Sequence, residues 1–251
     1  MEFTRFVEES SDEEFARKIS GYIDLPGFLR FTALHAVLSH LDSFLLRGHN
    51  FYIYLPRSSG KFHWIPWDVN STFAGHRSAG SASQQINLSI SQPYADGVRL
   101  LSRILKIKSI RARYLKEIEA VLAGPFKAET LQARMQAILK AIGPAVAKDH
   151  NTDPARFKAN FTKPPSNKAG QSLEQPRDRS GFRSGLQQKP MLVDFIAGRT
   201  SSILSQLRDG QEGYVPRLNS RRSRGDRGRR PEGNSRRPSR GPFPRRPGRE
   251  N

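Results

Sequence analysis

Between Asp42 and Phe73 the chain sets Asp42, Asn50 and Asp68 around residues that read as a β-hairpin. Two carboxylates and a carboxamide brought together in this way can hold a hard cation. Mg²⁺ takes one or two carboxylates and completes its octahedron with waters and substrate phosphates. Phosphoryl transfer asks little more of a protein than positioning and charge stabilisation. Each residue also has a plainer reading. Asp42 is either a general base or a helix-terminal carboxylate bonded to nearby backbone donors. An anion at a helix C-terminus is electrostatically unfavourable, which shifts the balance towards chemistry. Asp68, in Ile65-Pro66-Trp67-Asp68, is either a ligand at a strand end or the start of an Asx turn into Ser71-Thr72. Asn50 is either a metal ligand through its side-chain oxygen or a turn residue at the hairpin entrance. His49 and His63 lack the spaced Cys or Glu partners of a tetrahedral zinc set.

These residues need elements to position them. Ser11 and Glu14 have the spacing of a capping box, with Phe15, Ile19 and Tyr22 following at helical intervals. Asp24-Leu25-Pro26 predicts a second helix with proline in its first turn. Its apolar stripe is Phe28, Leu29, Ala33, Val37 and Leu41, which puts Asp42 at its C-terminal end. Phe51–Leu55 and Lys61–Trp67 predict the two strands, joined by the turn Pro56-Arg57-Ser58-Ser59-Gly60, with Trp64 and Trp67 packing the hairpin. Residues 74–91, small and polar, read as a long surface loop. Helices are then expected over Val98–Leu105, Ile110–Leu122 and Leu131–Leu139. The second stops at Gly124-Pro125 and the third at Gly143-Pro144. A short helix follows Asp153-Pro154, residues 163–189 read as a linker, and Met191–Leu207 predicts a final amphipathic helix. The expected fold class is α+β, mainly α.

Composition divides the chain in two. Of 251 residues, 42 are Lys or Arg and 23 are Asp or Glu, a formal net charge of +19. From Pro216 onward there are 13 Arg against three acidic residues, so over half of that charge sits in the last 36 residues. This Arg-, Gly- and Pro-rich segment has too little apolar surface to offset its ordering entropy. The expected organisation is a domain over 1–215 and a disordered tail over 216–251. Clustered arginine makes a polyanion or nucleic acid an expected partner of residues 217–249. The absence of cysteine excludes a disulfide scaffold and thiolate metal sites. No apolar run reaches the ~20 residues of a membrane span, and no signal peptide is visible, which leaves the compartment open.

Asp42-Ser43-Phe44, the run from Gly48 to Tyr54 and the run from Ile65 to Phe73 together resemble the CotH kinase family, the spore-coat-protein-H-like atypical kinases. Tyr22-Ile23-Asp24, Phe28-Leu29-Arg30-Phe31, Asp194-Phe195-Ile196, Arg199 and Gln206-Leu207 fit the same family, in order, between about Phe3 and Gly213. The resemblance implies the helical lobe of a protein-kinase-like fold, with Mg²⁺ and ATP as cofactors and Ser/Thr hydroxyls of a protein substrate as acceptors. It implies Asp42 as the catalytic-loop aspartate, and Asn50 and Asp68 as residues at the metal and nucleotide. Two positions depart from the pattern. The family usually has a second aspartate two residues after Asp68, where this chain has Asn70, so the implied metal set is Asp68, Asn50 and Asn70. The step from Asp42 to Asn50 is also longer than in the H-R-D-x-x-x-x-N loop of ordinary protein kinases. Such kinases need a sheet lobe whose lysine holds the α- and β-phosphates, and before Asp42 the sequence shows no strand-borne lysine, Lys18 falling on a predicted helix. The chain is therefore expected to be truncated and weakly active or inactive as given. The alternative is a non-catalytic pseudokinase or interaction domain with a polyanion-binding tail.

Overall fold

The computed structural model describes residues 2–162 and 189–217. The expected tail, from residue 218 on, and nearly all of the expected linker lie outside the described residues. Helix α3 (Leu25–Val37) is the axis of the fold. Nine of its 13 residues are buried, so it is covered on almost every side. Pro26 sits in its first turn, where the missing N–H costs nothing. Ahead of it, α2 (Asp12–Tyr22) starts as expected, with Ser11 Oγ accepting a hydrogen bond from the Glu14 amide at 3.1 Å. Before that lies α1 (Glu2–Glu9), which the sequence reading missed. Its buried Phe6 stacks between Phe15 and Tyr22.

The hairpin is present with shorter strands than expected. Strand β1 (Phe51–Tyr54) pairs antiparallel with β2 (His63–Pro66), Tyr52 opposite Ile65 and Ile53 opposite Trp64. Trp64 is buried and meets Phe28 edge-on, ring centroids 4.7 Å apart, with Phe44 and Phe3 alongside. Trp67 does not pack the hairpin core. It is 57% exposed and touches only the edge of Tyr52 among the aromatic rings. The link Phe62–Asp24 fastens the hairpin to the start of α3, with the Asp24 amide donating to the Phe62 carbonyl at 3.0 Å.

Residues 74–91 are not a surface loop. They contain a 3-10 turn (Arg77–Ala79) and α4 (Ala82–Ile86), the latter with a complete Ser81–Gln84 capping box. Ala74, Ala79, Gln85, Ile86, Leu88 and Ile90 are all buried. Small side chains made this stretch look exposed, whereas their size is what allows it to pack closely. Next come α5 (Arg99–Lys106), α6 (Lys108–Ala123) and α7 (Ala128–Val146). The expected stop of α7 at Gly143-Pro144 is a correction, because Pro144 lies inside its last turn. The proline forgoes one backbone bond, to the Lys140 carbonyl, and the helix ends two residues later. Helix α8 (Pro154–Thr162) precedes the final helix, α9 (Leu192–Arg208), which buries Phe195, Ile196 and Ile203 as its periodicity requires. The fold is α+β and mainly α, with one two-stranded sheet among the described residues. No helix among them is long and apolar enough to cross a membrane.

Two arginines tie the layers together. Arg103 of α5 donates to the carbonyls of Val7, Ser10 and Ser11, and lies 4.2 Å above the Phe15 ring. Arg199 of α9 is fully buried and donates to the carbonyls of Ala36, Val37, Ile86 and Leu88 at 2.7–3.2 Å. Replacing Arg199 by Met leaves those four acceptors without these donors, a loss of about 3 kcal/mol or more. Lysine cannot span four carbonyls with one ammonium. Both variants are expected to lower the urea midpoint, Met further than Lys. An unchanged midpoint in Arg199→Met would contradict this role.

Candidate functional site

The site begins where α3 ends. The helix stops at Val37 rather than near Leu41, because Ser39 adopts a left-handed conformation (φ 48) and donates its hydroxyl to the Gln85 carbonyl at 2.7 Å. Asp42 therefore lies in a bend five residues beyond the last helical residue. The helix-terminus reading of Asp42 falls away, and with it the dipole argument. His40, in the same reversal, is 1% exposed. Its carbonyl accepts a bond from the Ser43 hydroxyl, which also receives the Leu45 amide at 3.3 Å.

Asp42 is held from several sides. The Asn50 side-chain nitrogen donates to the Asp42 backbone carbonyl at 2.7 Å. The Asn50 carboxamide oxygen is then left for another donor or a cation. His49 Nε2 and His76 Nδ1 approach the same carboxylate oxygen, Asp42 Oδ1, at 3.5 and 3.6 Å. The other oxygen, Oδ2, lies 3.4 Å from Ser71 Oγ, and Ser71 donates at 2.9 Å to Asn70 Oδ1. A direct chain of contacts thus joins Asn50, Asp42, Ser71 and Asn70. His76 was not singled out in the sequence. It stands 34 positions from Asp42, and no spacing signal connects the two.

Asp68 leads the 3-10 turn Val69–Ser71 with φ 45 and no side-chain cap bond. Its carboxylate is exposed and has no hydrogen-bond partner among the described residues. It is anchored through its neighbour, the Trp67 amide donating to the Asn50 carbonyl at 3.1 Å. Burial lowers the pKa of His40. Asp42 and Asp68 both oppose that shift, so both carboxylates lie within electrostatic reach of one imidazole. Neither His40 ring nitrogen has a hydrogen bond of good geometry, although the Trp67 backbone is close enough to favour the protonated form.

Backbone strain concentrates here. The five non-glycine residues with positive φ among the described residues are Ser39, Asn50, Asp68, Phe73 and Ala74. Each lies at or next to the site, and each costs on the order of 1–3 kcal/mol. The surroundings fix them: the Phe73 amide donates to the Leu38 carbonyl at 2.8 Å, and the Phe73 ring meets Phe195 edge-on. Lys189, another residue the sequence reading passed over, donates to the Asn70 carbonyl at 3.3 Å and lies 5.4 Å from the Phe73 ring centroid. Partial burial lowers its pKa.

The oxygen donors of Asp68, Asn50 and Asn70 fit a hard cation in chemical type, but only one of them is charged. Among the described residues no group of three or more His, Cys, Asp or Glu side chains could hold a metal ion. A cation held here would keep waters and draw its remaining ligands from phosphate oxygens.

A family model described as "CotH kinase protein" matches residues 1–175. The chain is also similar to inner spore coat protein H of Bacillus subtilis (strain 168), at 27% identity over 146 residues. That alignment covers 54% of this chain and 35% of the relative, so the chain spans about a third of the length of the curated protein it matches.

The buried imidazoles at this end of α3 give the fold an acid-sensitive element. His35 Nδ1 donates to the Phe31 carbonyl, 2.7 Å away, and burial pushes the imidazole pKa down to about 4. The unfolded side chain titrates near 6.5. Between these values the unfolded chain binds the proton and the native one does not. Stability is therefore complete above about pH 6.5 and declines as pH falls towards 4, by about 3 kcal/mol from His35 over that window. His40 and His76, whose pKa values burial also lowers, act in the same direction. Urea unfolding at pH 7.5, 6 and 5 is expected to show this decline. His35→Gln, which removes the titrating group, should flatten it; an unchanged slope in that variant would assign the acid sensitivity elsewhere.

Proposed function

The chain belongs to the CotH kinase family, and from that premise we propose that its site takes part in Mg²⁺- and ATP-dependent phosphoryl transfer to Ser or Thr hydroxyls of a protein. The observation that supports this most is the arrangement at Asp42. A carboxylate that could accept a hydroxyl proton is tied through Asn50 and Ser71 to the turn that presents Asp68 and Asn70. In this reading Asp42 orients the acceptor hydroxyl and takes its proton as the bond to phosphorus forms. Asp68, Asn50 and Asn70 would hold Mg²⁺, with Lys189 a nearby cation for phosphate charge. The nucleotide supplies the phosphoryl group and the metal offsets its charge. Because Asn70 stands where the family usually has a carboxylate, a metal here would be held mainly through the phosphates of its nucleotide.

Residues 1–251 alone are expected to transfer slowly. The strands among the described residues form only the hairpin, and the cation at the Asp68 turn comes from the segment before α9 rather than from a sheet. Losing part of a positioning apparatus costs orders of magnitude in rate. The test is radiolabelled ATP with the purified chain, together with calorimetric binding of ATP in the presence and absence of Mg²⁺. Asp68→Ala should weaken Mg²⁺-dependent ATP binding. Asp42→Ala should leave binding intact and lower any transfer by about 10²-fold or more. ATP binding indifferent to Mg²⁺ and to Asp68→Ala would overturn the reading.

A second reading, an interaction domain, is favoured by the 13 arginines after residue 215. Each phosphate neutralised by arginine releases condensed counterions, so binding to RNA or heparin should be independent of sequence and should weaken steeply with salt. Deleting residues 217–251 is expected to abolish it. A deleted chain that binds either polyanion as tightly as the full one would remove this role.

A further inference from the structure

Asp42 has a second line of contacts, leading away from the Asp68 turn. His76 Nδ1 faces Asp42 Oδ1 at 3.6 Å, and His76 Nε2 lies 2.8 Å from Ser78 Oγ. We propose that Ser78 is an activated nucleophile, its hydroxyl proton accepted by His76 and the resulting imidazolium steadied by Asp42, and that it takes up electrophilic phosphoryl groups covalently.

Three observations separate this from an ordinary turn contact between residues two apart. The first is the position of Asp42. A carboxylate beside Nδ1 favours the tautomer with the proton on that nitrogen, which leaves Nε2 as the acceptor for the serine hydroxyl. The second is burial. The His76 side chain is 15% exposed, while Ser78 is exposed, so the base is sheltered and the nucleophile is reachable. Burial lowers the imidazole pKa, with Asp42 opposing and with Arg47 and His49 adding to the fall; His40, itself buried, also faces it. His76 is thus neutral and able to accept a proton at neutral pH. The third is the clamp on the turn. The Gln85 side-chain amide donates to both the His76 carbonyl (2.9 Å) and the Gly80 carbonyl (2.8 Å), and Tyr214 donates to the Ala79 carbonyl at 3.0 Å. A Cβ at Gly80 would come within 2.8 Å of the Tyr214 hydroxyl oxygen, and its φ of 112° also favours glycine. The turn that carries Ser78 is therefore fixed at both ends.

In the step itself Ser78 Oγ attacks phosphorus and its proton passes to His76 Nε2. The Ser78–phosphorus bond forms as the bond to the leaving group breaks. With ATP as donor the leaving group is ADP; with a fluorophosphonate it is fluoride. The proposal rests on the phosphoryl-transfer reading only for the natural donor, since a fluorophosphonate needs neither nucleotide nor metal.

The experiment treats the full chain with a fluorophosphonate–biotin probe and locates the adduct by peptide mass spectrometry. Ser59, an exposed hydroxyl in the hairpin turn, serves as the internal comparison. Ser78 is expected to label much faster than Ser59, with a rate that rises as pH passes upward through the imidazole range. His76→Gln and Asp42→Asn, each checked for native melting, should slow labelling of Ser78, the former by about 100-fold. Ser78→Ala should remove that adduct and leave Ser59 unchanged. Labelling of Ser78 no faster than Ser59 in the wild-type chain, or an equal rate in folded His76→Gln, would overturn the proposal. Fast labelling in a chain that shows no Mg²⁺-dependent ATP binding would sustain it while removing the phosphoryl-transfer reading.

Discussion

The structure depends on one buried cation that meets no carboxylate among the described residues. Arg199 spends its guanidinium on four backbone carbonyls, two from the last turn of α3, one from the last residue of α4 (Ile86) and one just beyond it (Leu88). The last carbonyls of a helix have no intrahelical partner and carry the negative end of its dipole. A delocalised cation with donors in a fixed fork suits that end well. Burial opposes the charge strongly, lowering its pKa to about 9, yet that value still leaves the group ionised at neutral pH. The consequence reaches the site directly. The α3 terminus that Arg199 holds is the point from which Ser39, His40 and Asp42 leave the helix. Gln206, two turns further along α9, acts on the neighbouring segment, its side chain bonding Leu88 and Ile90. One helix near the end of the described chain thus sets the position of a carboxylate about 160 residues earlier.

Strain shows the same dependence from the other side. Phe73 and Ala74 sit in the left-handed region, which a bulky or β-substituted residue avoids. They are kept there because Phe73 both reaches the α3 terminus with its amide and packs its ring on α9. Asn50 and Asp68 are among the residue types that tolerate that region best, and both bracket the hairpin. The turn chemistry that the sequence offers as a bland explanation and the function it offers as a sharp one are therefore not rivals. The left-handed turns are the means by which Asn50 and Asp68 are presented.

The parts of this fold that could be read in the sequence are those with a strong period. Helices α2, α6 and α9 carry apolar residues at intervals of 3–4 and bury them, while the hairpin is legible from its aromatic and β-branched runs and turn residues, although only Trp64 of its strands is buried. Helix α1 was hidden because only Phe6 and Val7 of its eight residues are buried, the rest being mainly charged. The end of α3 was misplaced because Leu41 continues the helical stripe and is fully buried, although the backbone carrying it has already turned at Ser39. Residues 74–91 failed for the opposite reason. Alanine, serine and glycine give no periodic signal, and what packs them is Gln85 from within the stretch and Arg199 and Tyr214 from elsewhere. Asp42, Asn50 and Asp68 could be nominated because one hairpin brackets two of them. His76, Lys189 and the inward guanidinium of Arg199 could not, since their partners lie 34 or more positions away and only the folded chain selects them.

The charge distribution around Asp42 bears on what the site can accept. Asp42 is met by His49 and His76, and Asp68 stands alone on its turn. Asn70 adds no negative charge beside Asp68, and Lys189 at the same turn lowers the negative potential there. A free Mg²⁺ gains little from one exposed carboxylate and two carboxamides in water, where even close charges interact by only about 1 kcal/mol. A phosphate-bound Mg²⁺ is a different ligand. It would arrive with oxygens already in place and with a net negative charge, which Lys189 at the same turn would favour rather than oppose. On the phosphoryl-transfer reading proposed above, this donor set would suit a metal–nucleotide complex better than the bare ion, the nucleotide bringing the cation with it.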